Sequence, residues 1–174
     1  MKALVVFESM WGNTEQVARA IAAGLEESME VVTADVGHAA ADPDPDFGLI
    51  AAGGPTHAFS MSRPATRAEA HNRGAPHGDD TVGLREWLDR LPAGHHQQVV
   101  ATFDTRVDKV RHLPGSAAKS AAKSAHRHGY PRAAHAESFY VHDTEGPLLE
   151  GELDRATAWG RELARKVASA PRTG

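Results

Sequence analysis

Lys2-Ala-Leu-Val-Val-Phe7, followed by Glu8-Ser-Met-Trp-Gly-Asn-Thr-Glu15, is the stretch that decides the fold. Residues 3–7 are apolar and include two β-branched valines, which is typical of a buried strand. The following residues are small, polar and glycine-containing, and apolar residues recur at helical spacing directly after them. We therefore expect a strand, a tight loop and the N-terminus of a helix.

This first loop has the groups that an anion site needs. The first backbone N–H groups of a helix have no partner within the helix and point into the loop, and Ser9, Asn13 and Thr14 add hydroxyl and amide donors. Neither common nucleotide motif fits, because Gly12 stands alone and no lysine follows it. Two interpretations stay open on spacing alone: a phosphate held by hydroxyls and amides, and an ordinary N-capped helix.

Predicted strands and helices alternate along the rest of the chain. The hydrophobic patterns predict strands at 2–7, 29–34, 47–52, 97–103 and 137–141, and helices at 14–27, 80–91, 116–128 and 149–167. Such alternation favours an α/β fold with a five-stranded parallel sheet covered by helices on both faces. In open sheets of this kind ligands bind beyond the carboxyl ends of the strands, where the winding direction reverses.

Three loops in order along the chain resemble those of the flavodoxin family. The Ser-x-x-Gly-Asn-Thr-Glu pattern at 9–15 looks like its phosphate loop, Gly53-Gly-Pro-Thr-His57 resembles its second loop, and Phe103-Asp-Thr105 resembles its third. The resemblance covers roughly residues 1–167. It implies a doubly wound sheet of strand order 2-1-3-4-5, with the three loops meeting at one edge to bind FMN.

The resemblance also implies roles for the loop residues. The first loop would surround the FMN phosphate, the second would flank the flavin ring with His57 or Phe59 on one face, and the third would approach the pyrimidine side. Two alternatives stay open: Phe103 as a core residue and Arg106 as a surface charge. The residues implied in cofactor binding are Ser9, Met10, Trp11, Gly12, Asn13, Thr14, Pro55, Thr56, His57, Ala58, Phe59, Phe103, Asp104, Thr105 and Arg106.

The segment at 60–79 departs most from the family pattern. It is long, carries several cations and has little apolar content, as in Arg63-Pro-Ala-Thr-Arg67 and the run 72–78. Connections of this length are often functional lids or lack fixed structure. We expect a solvated, mobile loop, with binding of an anionic substrate or of a nicotinamide cofactor's phosphate as the alternative.

Composition limits the class of protein. The 174 residues suit one domain spanning 1–174, with a loose tail at about 169–174. There is no cysteine, so disulfides and thiolate chemistry are excluded, and the net charge of −4 does not favour nucleic acid binding. No apolar run is long enough to span a membrane, and no signal peptide is recognisable, so we expect a cytoplasmic protein.

The eleven histidines do not form a recognisable metal motif. The pairs His95-His96 and His126-x-His128 lack a third ligand at a metal-site spacing, so we expect solvent-exposed histidines and no metal.

Three functions are compatible with these observations. The first is an FMN-binding electron carrier between a reductase and an acceptor protein. The second is a flavodoxin-like oxidoreductase of the NAD(P)H:quinone or protoporphyrinogen type. The third is a degenerate domain that keeps the fold and binds no flavin. We rank the electron carrier slightly above the enzyme; no side chain receives a catalytic role, and the oligomeric state stays open.

Overall fold

The computed structural model describes residues 1–169. Strands and helices alternate along them, apart from a short hairpin strand after the third strand. The strands are β1 (Lys2–Phe7), β2 (Glu30–Asp35), β3 (Phe47–His57), β4 (Ser60–Met61), β5 (Val99–Val107) and β6 (Glu137–Val141); the helices are α1 (Asn13–Glu26), α2 (Pro64–Asn72), α3 (Leu84–Asp89), α4 (Ala117–Arg127) and α5 (Glu152–Ser169).

The five long strands form a parallel sheet in the order β2-β1-β3-β5-β6, and β4 pairs antiparallel with the end of β3. Without β4, this is the predicted order 2-1-3-4-5, so the predicted fold is confirmed. The register places the ends of β1, β3 and β5 side by side: Phe7 lies beside Gly53, and Gly53 beside Phe103. The three predicted loops therefore leave the same edge of the sheet.

A hydrophobic core lies on each face of the sheet. On one face α1 and α5 pack through Ile21, Trp159 and Leu163, and on the other α3 and α4 pack through Trp87 and Ala121. Helices α1 and α5 approach unusually closely, because a Cβ atom on Gly24 would lie 2.1 Å from the carbonyl oxygen of Thr157. Burial on both faces explains why the central strand β1 and the first part of β3 have nearly continuous hydrophobic sequences.

Several element boundaries differ from the predicted ones. β3 runs five residues further than expected, to His57, and β5 four further, to Val107, because each strand continues pairing with its neighbours through the predicted loops. The helix predicted at 80–91 is confined to Leu84–Asp89. The side chain of Asp79 accepts hydrogen bonds from the backbone N–H groups of Thr81 and Val82, which fixes a turn ahead of the helix.

The segment at 60–79, for which we predicted a solvated, mobile loop, contains regular elements and buried side chains, so it is not solvated throughout; its mobility stays a prediction. Residues 60–83, which we call the excursion, contain β4 and α2, and Ser62 and Arg67 within it are completely buried. Composition suggested solvation because arginine is mostly exposed in proteins. Here Arg67 donates to Ser62 and to the carbonyl oxygen of Asp80 within the excursion and pairs with Glu86 just beyond it. Ser62 in turn donates to Glu8, which anchors the excursion to the end of β1.

The expectation of exposed histidines is correct for His95 and His126 and wrong for His96, whose ring stacks on Tyr130 at a centroid distance of 3.8 Å. Over residues 1–169, no helix has the length and apolar character needed to cross a membrane. The predicted loose tail lies outside the described residues, apart from Ser169, where α5 ends.

Candidate functional site

A cleft opens at the carboxyl edge of the sheet, between the loops that follow β1, β3, β5 and β6. It brings together ten of the predicted site residues and adds three that were not predicted. The predicted ones are Ser9, Met10, Trp11, Asn13, Thr14, Pro55, Thr56, His57, Thr105 and Arg106; the added ones are Val107, Val141 and Thr144.

The first loop is held in a shape that turns donors towards the cleft. Gly12 has a left-handed backbone, φ 91°, and its N–H donates to Ser9 Oγ at 3.1 Å, as does the N–H of Glu15 at 3.3 Å. With its oxygen accepting two bonds, the Ser9 hydroxyl keeps its hydrogen for a third partner. The loop thus combines a free hydroxyl hydrogen with the positive end of the α1 dipole, an arrangement suited to an anion.

The three predicted loops contact one another through side chains. Thr14 Oγ1 lies 2.7 Å from Thr105 Oγ1, which joins the first loop to the third. Thr56 Oγ1 donates to Asp104 Oδ2 at 3.1 Å, which joins the second to the third. In the Thr14–Thr105 pair one hydroxyl donates to the other, so one hydrogen is left for a further acceptor.

Two predicted site residues turn their side chains away from the cleft. Phe103 is completely buried in the core and packs edge-on against Trp159, and a Cβ atom on Gly53 would lie 2.4 Å from its ring. Asp104 is also buried and accepts a hydrogen bond from the N–H of Ala118 in the first turn of α4; burial raises its pKa. The alternative of Phe103 as a core residue is therefore correct, and Asp104 positions α4.

Ala58 and Phe59 form the two-residue turn between β3 and β4. Both have positive φ angles, 47° and 62°, as the central residues of a type I′ hairpin turn require. Phe59 is 46% exposed, and Ala58 lines a hollow beside the cleft. The turn therefore lies at the edge of the cleft, but the side chain of Phe59 does not line the cleft.

His57 lines the cleft as a neutral imidazole. Burial lowers its pKa, and the charge of Arg67 lowers it further. Its Nδ1 lies 3.0 Å from Thr66 Oγ1, and that hydroxyl already donates to the carbonyl of Arg63. Nδ1 therefore carries the hydrogen, and Nε2 is left as an acceptor.

The loop between β6 and α5 is a fourth wall that the sequence analysis missed. The Asn13 side chain donates to the carbonyl oxygen of Glu145 at 3.1 Å, and Thr144 lines the cleft. A Cβ atom on Gly146, whose φ is 108°, would lie 2.6 Å from Asn13 Oδ1. The parallel topology was the available signal, because the loop after the last strand leaves the same edge as the other three.

The excursion packs behind and beside the first loop. Its backbone N–H at His77 donates to the carbonyl of Met10, and Met10 packs against Ala70 and Ala75. Arg67 Nη1 donates to Ser62 Oγ at 2.8 Å, Ser62 Oγ donates to Glu8 at the start of the first loop, and Arg67 Nη2 pairs with Glu86 at 3.0 Å. This buried network ties the excursion to the sheet; burial raises the pKa of Glu8.

His71 links two later parts of the excursion, the residues His77 and Asp80, near the protein surface. His71 Nε2 lies 2.9 Å from the carbonyl oxygen of His77, and His71 Nδ1 lies 2.6 Å from Asp80 Oδ1. Both partners are acceptors when Asp80 is ionised, so only the imidazolium, with two N–H groups, satisfies them together. The hydrogen bond to His77, followed by that to Asp80, raises the pKa of His71.

We expect the excursion to loosen as pH rises, because the raised pKa of His71 stabilises the folded state below the ordinary histidine value and this contribution is lost above the folded-state pKa. Hydrogen-exchange protection factors at residues 73–83 should fall between about pH 5 and about pH 8. In His71→Gln this pH dependence should disappear, whereas in His126→Gln, changed on the exposed face of α4, it should persist. An unchanged pH dependence in His71→Gln would contradict the role of His71.

Sequence comparison finds no relatives: no protein-family model matches the chain, and no curated protein matches it. Solved structures do match. A flavodoxin from the domain Archaea superposes with a TM-score of 0.64 at 20% identity over 97% of this chain and 99% of its own. Oxidised flavodoxin 2 from Bacillus cereus superposes with a TM-score of 0.66 at 18% identity, over 95% and 99%.

A third similar structure is a flavodiiron protein from Giardia intestinalis, with a TM-score of 0.60 at 18% identity; the match covers 97% of this chain and 36% of that one. The agreement extends over almost the whole of this chain, with its parallel sheet in the order β2-β1-β3-β5-β6 and its cleft at the carboxyl edge. The protein therefore has the flavodoxin-like fold.

Proposed function

We propose that this protein binds FMN in the cleft and carries electrons between a reductase and an acceptor protein. The observation that carries the proposal is the meeting of Thr14 and Thr105 at 2.7 Å above the N-terminus of α1. It joins an anion cradle to the third loop within one cleft, so a ligand that has a phosphate at one end and a larger polar body at the other can occupy both.

The donors in the cleft fit FMN. Ser9 and the Thr14–Thr105 pair offer hydroxyl hydrogens to a phosphate, and the buried Trp11 Nε1 and Arg106 Nε have no hydrogen-bond partner within residues 1–169. Buried donors without partners are costly, so a ligand with acceptors at these positions would be favoured. FMN would supply reversible uptake of electrons, and these residues would hold and orient it.

The matched structures support this assignment by analogy of fold. Two are described as flavodoxins and one as a flavodiiron protein, and the redox partners that we propose, a reductase and an acceptor, follow from that analogy. A cytoplasmic location is part of this proposal.

Titration of FMN into the purified protein, followed by quenching of flavin fluorescence, tests the proposal. Riboflavin, which lacks the phosphate, is the matched control. We expect FMN to bind on the order of 100-fold more tightly than riboflavin, because charge-assisted hydrogen bonds to the phosphate contribute about 1.5–3 kcal/mol each. No binding of either flavin would favour the alternative of a domain that keeps the fold without flavin.

A second candidate is an oxidoreductase of the NAD(P)H:quinone or protoporphyrinogen type. The observation that favours it is a hollow beside the cleft, which shares Thr56, His57 and Thr144 with it and extends to Arg73. A small substrate there would lie next to the proposed flavin. Rapid oxidation of NAD(P)H by quinone with the FMN-loaded protein would support the enzyme; its absence, together with electron uptake in two separate one-electron steps, would support the carrier.

A further inference from the structure

Arg106 is a buried cation that lines the cleft without an acidic partner. The side chain is 5% exposed, and among residues 1–169 no carboxylate lies within salt-bridge distance of it. Nη2 donates to the carbonyl oxygens of Val110 and Leu113 at 2.8 and 3.2 Å, and the buried Nε has no partner. By contrast, the completely buried Arg67 is paired with Glu86.

A buried guanidinium without a counter-charge is costly, and the chain keeps it at the wall of an open cleft. The two carbonyl oxygens satisfy part of its hydrogen-bonding capacity and leave its charge uncompensated. A ligand that brings negative charge to this wall would remove that cost. Arg106 therefore indicates where a bound molecule carries, or gains, an anion.

The direction of side chains along β5 indicates which part of a bound ligand lies beside Arg106. Successive side chains of a strand point to opposite faces. Thr105 contacts Thr14 at the N-terminus of α1, where the hydroxyl donors of the first loop lie. Arg106 projects to the opposite face, towards the turn at 108–113. Arg106 and the anion cradle thus line one cleft from opposite faces of β5, so one ligand can place its phosphate by Thr14 and another part by Arg106.

We infer that Arg106 offsets the negative charge that a flavin ring in this cleft gains when it is reduced. This inference rests on the proposed function. Two electrons from the reductase and one proton from solvent enter the oxidised ring, so its net charge falls by one. Arg106 supplies the matching positive charge in a buried, low-dielectric position, where such an interaction is stronger than in water. Reduced FMN is then bound more tightly than oxidised FMN.

The test compares the affinities of oxidised and dithionite-reduced FMN in the native protein, Arg106→Met and Arg106→Lys. In Arg106→Met the affinity for reduced FMN should fall about tenfold or more relative to oxidised FMN, equivalent to a two-electron potential lower by about 30 mV. Arg106→Lys keeps the charge and should retain most of the preference. Arg111→Met is the control, because Arg111 lies in the turn that Arg106 contacts, is half exposed and pairs with Asp108.

Proton uptake by the native protein gives a readout that needs no variant. Reduction of the FMN complex at neutral pH should take up one proton for two electrons, measured with an indicator dye in weak buffer; two protons would overturn the inference. An unchanged ratio of affinities in Arg106→Met would also overturn it. So would a loss of affinity that appears with oxidised FMN but not with riboflavin, since Arg106 would then pair with the phosphate.

These outcomes are separable from failure of the proposed function. If the native protein binds no flavin, the proposed function and this inference are both overturned. If it binds FMN but shows two-proton reduction or an unaltered affinity ratio in Arg106→Met, the FMN site stands and only the role of Arg106 fails.

Discussion

Arg67→Met should lower the free energy of unfolding by about 3–5 kcal/mol, the usual cost of removing one partner from a buried ion pair. Arg67 is completely buried, pairs with Glu86 at 3.0 Å, and donates to Ser62 and to the carbonyl oxygen of Asp80. Methionine fills much of the space and satisfies none of these groups. Chemical denaturation followed by circular dichroism measures the loss.

The destabilisation by Arg67→Met should grow with pH. Burial already raises the pKa of Glu8, and Arg67 opposes that rise, so without Arg67 the folded-state pKa of Glu8 moves higher still. A carboxyl whose folded-state pKa exceeds its unfolded-state value costs stability as pH rises through that interval, since it must then ionise while buried. The variant should therefore lose more stability at about pH 8 than at about pH 5.

Two further variants test whether the effect of Arg67→Met is specific to Arg67 and depends on Glu8. Arg90→Met, an exposed arginine just beyond α3, should change stability by no more than about 0.5 kcal/mol. Adding Glu8→Gln to Arg67→Met should recover part of the loss and remove most of its pH dependence, because glutamine can accept the Leu84 N–H without ionising. A loss that is equal at both pH values in Arg67→Met would contradict the proposed coupling to Glu8.

The double variant Ser9→Ala, Thr14→Val should bind FMN on the order of 100-fold more weakly than the native protein. Two hydroxyls are removed, and each charge-assisted hydrogen bond to a phosphate contributes about 1.5–3 kcal/mol, of which water recovers a part. Valine keeps the shape of Thr14, which is buried beside Thr105. Equilibrium titration of flavin fluorescence gives the affinity.

Riboflavin is again the internal control for this pair of substitutions. Its affinity should change little, because the substituted hydroxyls are assigned to the phosphate. Parallel weakening of FMN and riboflavin would mean that the first loop supports the ring instead, or that loss of the Ser9 bonds to Gly12 and Glu15 has distorted the loop. Measurement of Thr14→Val alone separates these cases, since Ser9 then keeps both bonds.

The buried network and the first loop belong to one structural unit. Glu8 begins the loop, Ser9 braces it, and the excursion donates the His77 N–H to Met10 within it. A change that frees the excursion would thus reach the proposed phosphate cradle through the backbone. FMN affinity should therefore be compared between Arg67→Met and the native protein, without denaturant and at a pH where the variant is still folded.

The fold could be predicted from the sequence because a strand that is buried on both faces of the sheet consists of consecutive apolar residues. The strand order followed from the resemblance of the three loops to those of the flavodoxin family. The run at 3–7 is continuously apolar since α1 and α5 cover one face of β1 and α3 and α4 the other. The Gly12 turn also has a local cause, since glycine adopts its φ of 91° without strain. The apolar run and the glycine turn both depend on residues that are adjacent in the chain, so the sequence alone predicts them.

The sequence by itself determined the alternation of strands and helices, the parallel sheet and the edge at which the loops meet. Only the tertiary structure decided which side chains face the cleft and which are buried. Phe103 and Arg106 belong to the same strand, yet one packs on Trp159 and the other lines the cleft; Arg67 is buried because Glu86, Ser62 and Asp80 surround it. The physical reason is that a charge can be buried only where folding brings it partners, and the hydrophobic pattern of the sequence does not show which polar groups will meet.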